Sequence, residues 1–554
     1  MSRVKKGLLA FTAFIASLLA TSHARADWPE PWSDNDPADP PARYQLGDFG
    51  LRGAAEYRAQ GVYISPLDLS SETANKAAWL EHRLRLDGTV DYKDKIRLTT
   101  SVDALDGVLW GDNGSLGTDP EPSNGAHINT NNVNNATQCM TLDPGGNQVD
   151  PKAYHYGLCP GNAIEVRRLF GDVLTPIGLL RVGRQPFTEG ASVAVNDGDG
   201  RRNRFGVSNK GNTVDRILFA TKPLEAFKPK DLRDPSEQKG LFVIVAYDQL
   251  VIDEPQLLGF QLHDAIIAAQ YKQPKLGRFR DVELRGYYTY RWDGHFGTNV
   301  DAMGGRAVAR IGDFSGGIDA VGVLGATQEV SDAFHLITND PAVSQAIRQL
   351  GGRAVVRYDR PKWTAYLEGD YASGTSDTSL KGALTQFHFA EDTNVGLLLF
   401  KQVLAYQTAR EAAAATALLN SLHAPTIPVE SIATRGALTD ALVLFPQADY
   451  RPIKNILLRG GVMFSWAPAG VFDPIATAER RSSGQYQHIV VNYNGGVPGN
   501  YYGTELDGRA QWRYLDHFAF DIEAAVLFPG SALQDEDGHA VRSFMTQART
   551  TFFF

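Results

Sequence analysis

Apolar and polar residues alternate along much of the chain, over segments of about ten residues, which is the period of a β-strand with two different faces. The cleanest segments are 51–63, 80–90, 282–292 and 504–514. In the second of them, Glu81, Arg83 and Arg85 alternate with Leu80 and Leu84. Each segment therefore predicts a strand with one charged face and one apolar face.

The connections between these segments are short and long in turn. The short ones are 91–95, 175–178, 360–361, 451–454 and 515–517, and the long ones are 106–162, 188–212, 374–439 and 467–501. A β-sandwich also alternates, but short turns at one rim and long loops at the other are typical of outer-membrane barrels. We therefore predict an all-β fold, a transmembrane antiparallel β-barrel of about 18 strands with long extracellular loops.

The last residues form a separate signal. Phe544, Thr546, Ala548, Thr550, Phe552 and Phe554 share one face of a final strand, opposite Met545, Gln547 and Arg549. A terminal strand that ends on an aromatic residue resembles the signal read by the barrel assembly machinery, which we expect to bind this strand. Aromatic residues at strand ends are predicted to lie at the membrane interfaces, namely Trp363, Trp466, Trp512, Tyr514 and Phe518.

The N-terminus predicts export. Basic residues Arg3, Lys5 and Lys6 precede an apolar run over 8–20, and Ala24 and Ala26 are the small residues of a cleavage site. The run is shorter than the roughly 20 residues of a spanning helix. We predict a signal peptide over 1–26 cleaved after Ala26, a periplasmic segment over 27–46, and a barrel over 47–554 surrounded by the outer-membrane lipid of a Gram-negative-type cell.

Two segments break the pattern of alternation. Residues 394–420 are rich in helix formers and predict an amphipathic helix within a long loop, which covers or enters the mouth of the barrel. If this segment were a hairpin instead, the strand count would rise to about twenty. Residues 223–240 are long for a periplasmic turn, and the sequence offers no account of them.

Composition narrows the class of protein. The chain has 554 residues, with 54 Lys and Arg against 63 Asp and Glu and a net charge of -9. This acidic balance argues against a nucleic-acid partner, which needs a basic face. The two cysteines, Cys139 and Cys159, lie in one polar stretch of an exported chain and predict a disulfide across a surface loop, although two free thiols are the alternative.

Motifs for catalysis or for metal binding are missing from the sequence. The zinc motif His-Glu-x-x-His, the nucleophile elbow Gly-x-Ser-x-Gly and the phosphate loop do not occur. Residues 196–204 resemble a calcium loop, but Arg201 stands where an oxygen ligand belongs, and a solvated turn is predicted. We predict no metal, no cofactor and no enzymatic activity, with an enzyme built from dispersed Ser, His and Asp as an alternative.

Arginines recur on the polar faces of the predicted strands. Those predicted to line the lumen and contact an anionic solute are Arg58, Arg83, Arg85, Arg285, Arg357, Arg459, Arg509 and Arg513. A guanidinium group is always charged and matches a carboxylate in shape, so a narrow lumen lined with them would favour anions. Carboxylates share these faces, and cross-strand ion pairs are the alternative use of the arginines.

One strand pair resembles a known family. Residues 163–187, with Arg181-Val182-Gly183-Arg184-Gln185 after a short turn, resemble a segment of the alginate-export outer-membrane barrels. Residues 503–530 are similar to the closing portion of that family. The resemblance implies a barrel of about 18 strands with an arginine-rich lumen that passes an acidic polysaccharide, and it implies that Arg184 contacts the solute.

These patterns together predict a channel. We expect passive diffusion or export of anionic saccharides or carboxylates, without a chemical step. A general diffusion porin, a barrel enzyme and a structural or adhesive barrel are the alternatives.

Overall fold

The computed structural model describes most of the chain from residue 43 onward. The described residues are 43–70, 77–111, 164–187, 192–194, 203–207, 213–234, 236, 239–252, 262–294, 296–338, 341–379, 381–390, 393–408, 410–412, 415, 434, 436–484, 488–515 and 517–554. The predicted signal peptide, its cleavage after Ala26, and the disulfide between Cys139 and Cys159 lie outside them and stay predictions.

Within this part of the chain, β-strands account for nearly all regular structure. They are β1 Tyr44–Leu46, β2 Phe49–Ser65, β3 Ala77–Tyr92, β4 Ile96–Gly111, β5 Ile164–Thr175, β6 Gly178–Pro186, β7 Thr213–Thr221, β8 Gly240–Ile252, β9 His263–Leu276, β10 Phe279–Trp292, β11 Asn299–Ile311, β12 Phe314–Thr327, β13 Gln345–Asp359, β14 Trp363–Ala372, β15 Ala441–Tyr450, β16 Ile456–Trp466, β17 Tyr501–Tyr514, β18 Phe518–Pro529 and β19 Ser543–Phe553.

Each strand from β2 to β19 pairs in antiparallel fashion with its neighbours in sequence, and the last strand closes the ring. Strand β19 pairs with β2, from Phe544 opposite Ser65 to Phe553 opposite Glu56. The short strand β1 forms a hairpin with the start of β2. Strands β2 to β19 thus form a closed antiparallel barrel of 18 strands, as predicted from the sequence.

Most side chains on the outside of this barrel are apolar. Strand β15 shows the rule: its residues are buried and exposed in strict turn, with Leu442 and Leu444 exposed and Val443, Phe445 and Asp449 buried. Lipid cannot hydrogen-bond to backbone groups, so a closed barrel with an apolar outer face is the β-structure that crosses an outer membrane. The chain is an outer-membrane β-barrel.

In the described part of the chain, the helices are too short or too polar to cross a bilayer.

Aromatic residues lie at the strand ends on the outer face. Trp363, Trp466, Trp512 and Tyr514 are exposed there. The ring of Phe518 lies 5.9 Å from that of Trp512, between ring centroids. These positions suit the predicted role at the membrane interfaces, where aromatic rings are favoured.

The connections at the rim that holds both ends of the barrel are short, except for residues 222–239. This connection contains helix α1 Pro223–Ala226 and a 3-10 turn, Lys230–Leu232. The guanidinium group of Arg233 donates hydrogen bonds to the carbonyls of Pro176, Ala226 and Lys228 at 2.7 to 2.9 Å. A single arginine therefore ties this long turn into a compact unit beside the neighbouring turn between β5 and β6.

The loops at the opposite rim are long and contain the other helices. Helix α2 is Glu329–Thr338, a π-helical turn is Leu399–Leu404, and helix α3 is Pro474–Ser483. Of the helix predicted over 394–420, residues 399–408 and 410–412 are helical, whereas 394–398 are not, and the predicted amphipathic character is wrong. All residues of Leu399–Leu404 are buried, because the segment enters the barrel and contacts protein on every side.

Because the outer face of the barrel contacts lipid, a charged side chain placed on it should destabilise the fold. The loss of stability should be larger at mid-height in the membrane than at the rim. Leu506 lies at mid-height on β17, between Val462 and Val526, whereas Tyr514 lies at the rim. Leu506→Arg should lower the free energy of unfolding in lipid by about 2–4 kcal/mol, and Tyr514→Arg by about 0–1 kcal/mol. Denaturant titration in phospholipid vesicles measures both, and equal losses would contradict the assigned outer face.

Candidate functional site

Arginines on the inner face form two-pronged pairs with aspartates of the adjacent strand. The pairs are Arg85 with Asp103, Arg181 with Asp172, Arg216 with Asp248, Arg291 with Asp264, and Arg459 with Asp449. In each pair Nε and Nη2 donate to the two carboxylate oxygens, at 2.5 to 3.1 Å. The alternative of cross-strand ion pairing is confirmed for Arg85 and Arg459, the two of these arginines that were predicted to line the lumen.

The two members of a pair are not equally exposed to the lumen. The side chain of Arg291 is 19% exposed while that of Asp264 is 0% exposed. The corresponding values are 16% and 7% for Arg181 and Asp172, and 8% and 0% for Arg216 and Asp248. An aspartate is short and stays at the wall, whereas an arginine extends past it, so these pairs present their positive member to the water.

A segment of the loop between β6 and β7 crosses the lumen. We call residues 203–207 the strap. Strands β6 and β7 lie half-way around the ring from β15 and β16, yet Arg204 Nε donates to Gln447 Oε1 on β15 at 2.5 Å. The Arg204 guanidinium lies over the ring of Tyr366, 3.1 Å from its centroid, and the Phe205 ring stacks on Phe445 at 5.5 Å. The strap therefore rests on the opposite wall.

Two predicted lumen arginines hold this strap. Arg459 Nη1 and Arg509 Nη1 donate to the carbonyl oxygen of Arg204 at 2.6 and 3.1 Å. Their side chains are 0% and 1% exposed. The prediction of a solvated turn over 196–204 is wrong for Arg204, which is buried because its guanidinium and its carbonyl both bind the wall.

The loop between β14 and β15 also enters the barrel where the structure describes it, and we call its described residues the inward loop, namely 373–379, 381–390, 393–408, 410–412, 415, 434 and 436–440. Its residues Leu398, Leu399 and Phe400 are almost fully buried in one apolar cluster with wall residues of β15 and β16, Phe445 and Met463. Burying an apolar side chain of this size stabilises a fold by roughly 1.5–3 kcal/mol. The inward loop thus covers the wall from β15 through β19 to β2.

The strap and the inward loop meet inside the barrel. Asn394 Nδ2 donates to the carbonyl of Val207 at 3.4 Å, and the amide of Ala390 donates to the carbonyl of Val193 at 2.9 Å. Val193 and its neighbours belong to the same loop as the strap. The two loops therefore form one constriction, which leaves the β6 to β10 wall as the less covered side of the lumen.

A cavity of about 390 Å³ lies between the inward loop and strands β10 to β13. Apolar residues such as Val300, Val321 and Phe387 form much of its lining. Burial lowers the pKa of His388 in this lining to about 4 and raises the pKa of Asp440 to about 7. At neutral pH His388 is therefore uncharged, and Asp440 is poised between its two forms.

A row of charged residues lies below this cavity, toward the periplasm. The row runs directly across β10 to β14 through Arg285, Arg306, Asp319, Arg353 and Asp370. Arg353 Nε donates to Asp370 Oδ1 at 2.6 Å, and the Arg285 side chain is 23% exposed. Of the three guanidinium groups in this row, that of Arg285 is partly exposed, whereas those of Arg306 and Arg353 are buried.

Most predicted lumen arginines are inside the barrel, but they differ in access. Arg58, Arg83, Arg85, Arg459 and Arg509 are buried, whereas Arg285, Arg357 and Arg513 are partly exposed. Contact of any of them with a solute stays a prediction. The arginines inside the barrel that are absent from the predicted solute contacts include Arg181, Arg216, Arg291, Arg306, Arg353 and, on the strap, Arg204. Alternation on β6 and β10 could have indicated Arg181 and Arg291.

The lumen position implied for Arg184 is wrong. Arg184 lies between Leu169 and Asp215 in the sheet, and on its own strand it shares a face with Leu180 and Val182, which are exposed on the outside. Its guanidinium binds Asp215 at 3.0 Å on the outer surface. On this strand the odd-numbered residues point inward, and Arg181 occupies the lumen instead.

The closed sheet, its apolar outer face and the inward loops define an outer-membrane β-barrel with a constricted lumen. Solved structures of the same general form include OccAB1 of Acinetobacter baumannii, at 8% identity and a TM-score of 0.48, covering 94% of this chain and 99% of that chain. OccK2 (OpdF) of Pseudomonas aeruginosa matches at 8% identity and a TM-score of 0.45, covering 91% and 97%. That protein has also been solved in complex with glucuronate, a structure that matches at 8% identity and a TM-score of 0.43, covering 91% and 96%.

At these identities, and with TM-scores below 0.5, the similarity carries no conclusion about the solute or the mechanism. No family model matches the chain, and no curated protein matches its sequence. The resemblance to the alginate-export barrels therefore stays a prediction.

Asp440 should make the channel sensitive to pH near neutrality. Because its pKa is raised to about 7, the carboxyl group is uncharged below that pH and adds a negative charge to the cavity wall above it. We expect anion permeability to fall as the pH rises from about 6 to about 8, and this change to vanish in Asp440→Asn. Asparagine tolerates the positive φ of 42° at this position.

Reversal potentials measured in planar bilayers at the two pH values test this expectation. An Asp440→Asn variant that keeps the pH dependence of the parent protein would show that another group is responsible.

Proposed function

We propose that the protein is a passive outer-membrane channel for small anionic solutes, namely carboxylates or acidic saccharides. The observation that supports this proposal best is the unequal exposure within two wall pairs, where Arg291 and Arg181 are partly exposed to the lumen and their aspartates are buried. The formal charges of these pairs cancel, but a solute in the water meets the positive members first.

Exposed guanidinium groups occur at several depths along the less covered wall. Arg291 lies near the outer rim and lines the cavity, Arg285 lies in the middle of its strand, and Arg181 lies near the periplasmic end of β6. Guanidinium groups bind carboxylates through planar, charge-assisted hydrogen bonds. A series of weak sites at successive depths lets an anion enter and leave, which passive conduction requires.

The size of the cavity favours a small solute. A volume of about 390 Å³ lies at the small end of the range of roughly 300–1,000 Å³ that is usual for small-molecule pockets. The strap and the inward loop both cross the space that a polymer would need. Export of an acidic polysaccharide, which the alginate-export resemblance implies, is less well supported for this reason and because Arg184 lies outside the lumen.

The rival functions differ in what they predict for ion flow. A general diffusion porin would show no charge preference beyond that of its widest passage, and a structural or adhesive barrel would show no conductance. A barrel enzyme would turn over lipid, peptide or ester substrates. Ion selectivity and conductance separate the first two classes from the proposed channel, and a turnover assay tests the third.

If exposed guanidinium groups attract anions, then removing an arginine together with its paired aspartate should change the ion selectivity of the channel. The double variant Arg291→Gln, Asp264→Asn keeps the net charge and leaves no buried charge unpaired, yet it removes the exposed guanidinium group. We expect the chloride-to-potassium permeability ratio to fall roughly twofold. The reversal potential across a salt gradient in a planar bilayer measures this ratio.

The matched control is Arg184→Gln, Asp215→Asn, which makes the same chemical change on the outer surface and should leave the ratio unchanged. A cation preference in the parent protein, or an equal effect of both double variants, would contradict the proposal.

A further inference from the structure

The carboxylate of Glu505 binds three successive backbone amides of the inward loop. Glu505 Oε1 accepts from the amides of Leu397 and Leu398 at 2.8 Å each, and Oε2 accepts from the amide of Leu399 at 2.6 Å. We infer that Glu505 is the residue that positions the inward loop and thereby sets the width of the channel. The inference deepens the proposed function and rests on it for its consequence in transport.

These amides are the ones that need an acceptor most. They stand at the start of the helical segment Leu399–Leu404, where the first N–H groups of a helix have no partner inside it and carry partial positive charge. A carboxylate at such an end is favoured by both hydrogen bonding and charge. Here the cap comes from β17 of the barrel wall rather than from the loop itself.

Two glycines with positive φ lie where the inward loop meets the wall and where the strap meets the inward loop. Gly396 has a φ of +73°, and a Cβ atom added to it would lie 2.9 Å from Glu505 Oε1 and 2.9 Å from Met463 Cε. On the strap, Gly206 has a φ of +74°, and its Cβ would lie 2.9 Å from Asn394 Nδ2. A side chain at either position would be strained by the positive φ and would displace the end of a neighbouring side chain, Glu505 or Met463 at Gly396 and Asn394 at Gly206.

The apolar packing of the loop does not fix its position in the same way. Leu398, Leu399 and Phe400 are buried by an attraction that has no direction, so a shift of the loop along the wall preserves much of it. The three hydrogen bonds to a charged acceptor are directional. Without Glu505 the three buried amides lack this acceptor, and the loop moves toward water.

Three variants test the inference. Glu505→Ala removes the acceptor, Glu505→Gln keeps one acceptor oxygen but places an N–H₂ group against the third amide, and Gly396→Ala blocks the approach of the loop. We expect single-channel conductance to rise at least about twofold in Glu505→Ala and Gly396→Ala, and less in Glu505→Gln. Liposome swelling should show that larger neutral sugars enter through the same variants.

Two controls match these changes without touching the loop. Glu536→Ala removes an exposed carboxylate that pairs with Arg480, and Gly312→Ala alters a turn glycine of positive φ with open space around it. Both should keep the conductance and the size limit of the parent protein.

A measurement that does not depend on conduction separates this inference from the proposed function. Hydrogen–deuterium exchange of the peptide covering 393–408 should be slow in the parent barrel and faster in Glu505→Ala. Unchanged exchange and unchanged conductance in folded Glu505→Ala would overturn the positioning role. Faster exchange in a barrel that never conducts would support that role and refute the channel.

Discussion

Hydrogen bonding between neighbouring strands is the constraint on which the whole structure depends. Lipid offers no partner to a backbone amide, so the sheet leaves no open edge and closes between β19 and β2. Closure directs alternate side chains into a shared interior, and the charged ones then lie close together at the wall. They pair with one another, as Arg291 does with Asp264 and Arg459 with Asp449.

Arginine–carboxylate pairs line both sides of the lumen, but the two sides differ in what the arginines contact. On β16 and β17, Arg459 and Arg509 are covered and bind the backbone of the strap. On β5 to β10 the paired arginines reach further toward water than their aspartates. Whether an arginine is buried or reaches water therefore depends on whether the strap or the inward loop lies over it.

The sequence predicts the barrel well because alternation is local: each strand shows its own two faces, and the loop lengths give the two rims. Whether a single arginine points into the lumen or outward is harder to predict. Arg181 and Arg184 lie on opposite faces of one strand, and Asp215 and Arg216 are adjacent charges on the next strand. The contacts of Arg459 and Arg509 with the strap could not be predicted from the sequence. Arg459 and Arg204 are 255 residues apart, and neither has a local pattern that indicates the contact.

The central claim is that one wall of the lumen faces water while the other lies under the loops, and thiol accessibility tests it most directly. Gln270 on β9 is partly exposed, and Gln547 on β19 is buried, although both point inward. With Cys139 and Cys159 replaced by serine, a charged thiol reagent should modify Gln270→Cys rapidly and reduce the current, while Gln547→Cys stays protected. Equal rates of modification at the two positions would contradict the account.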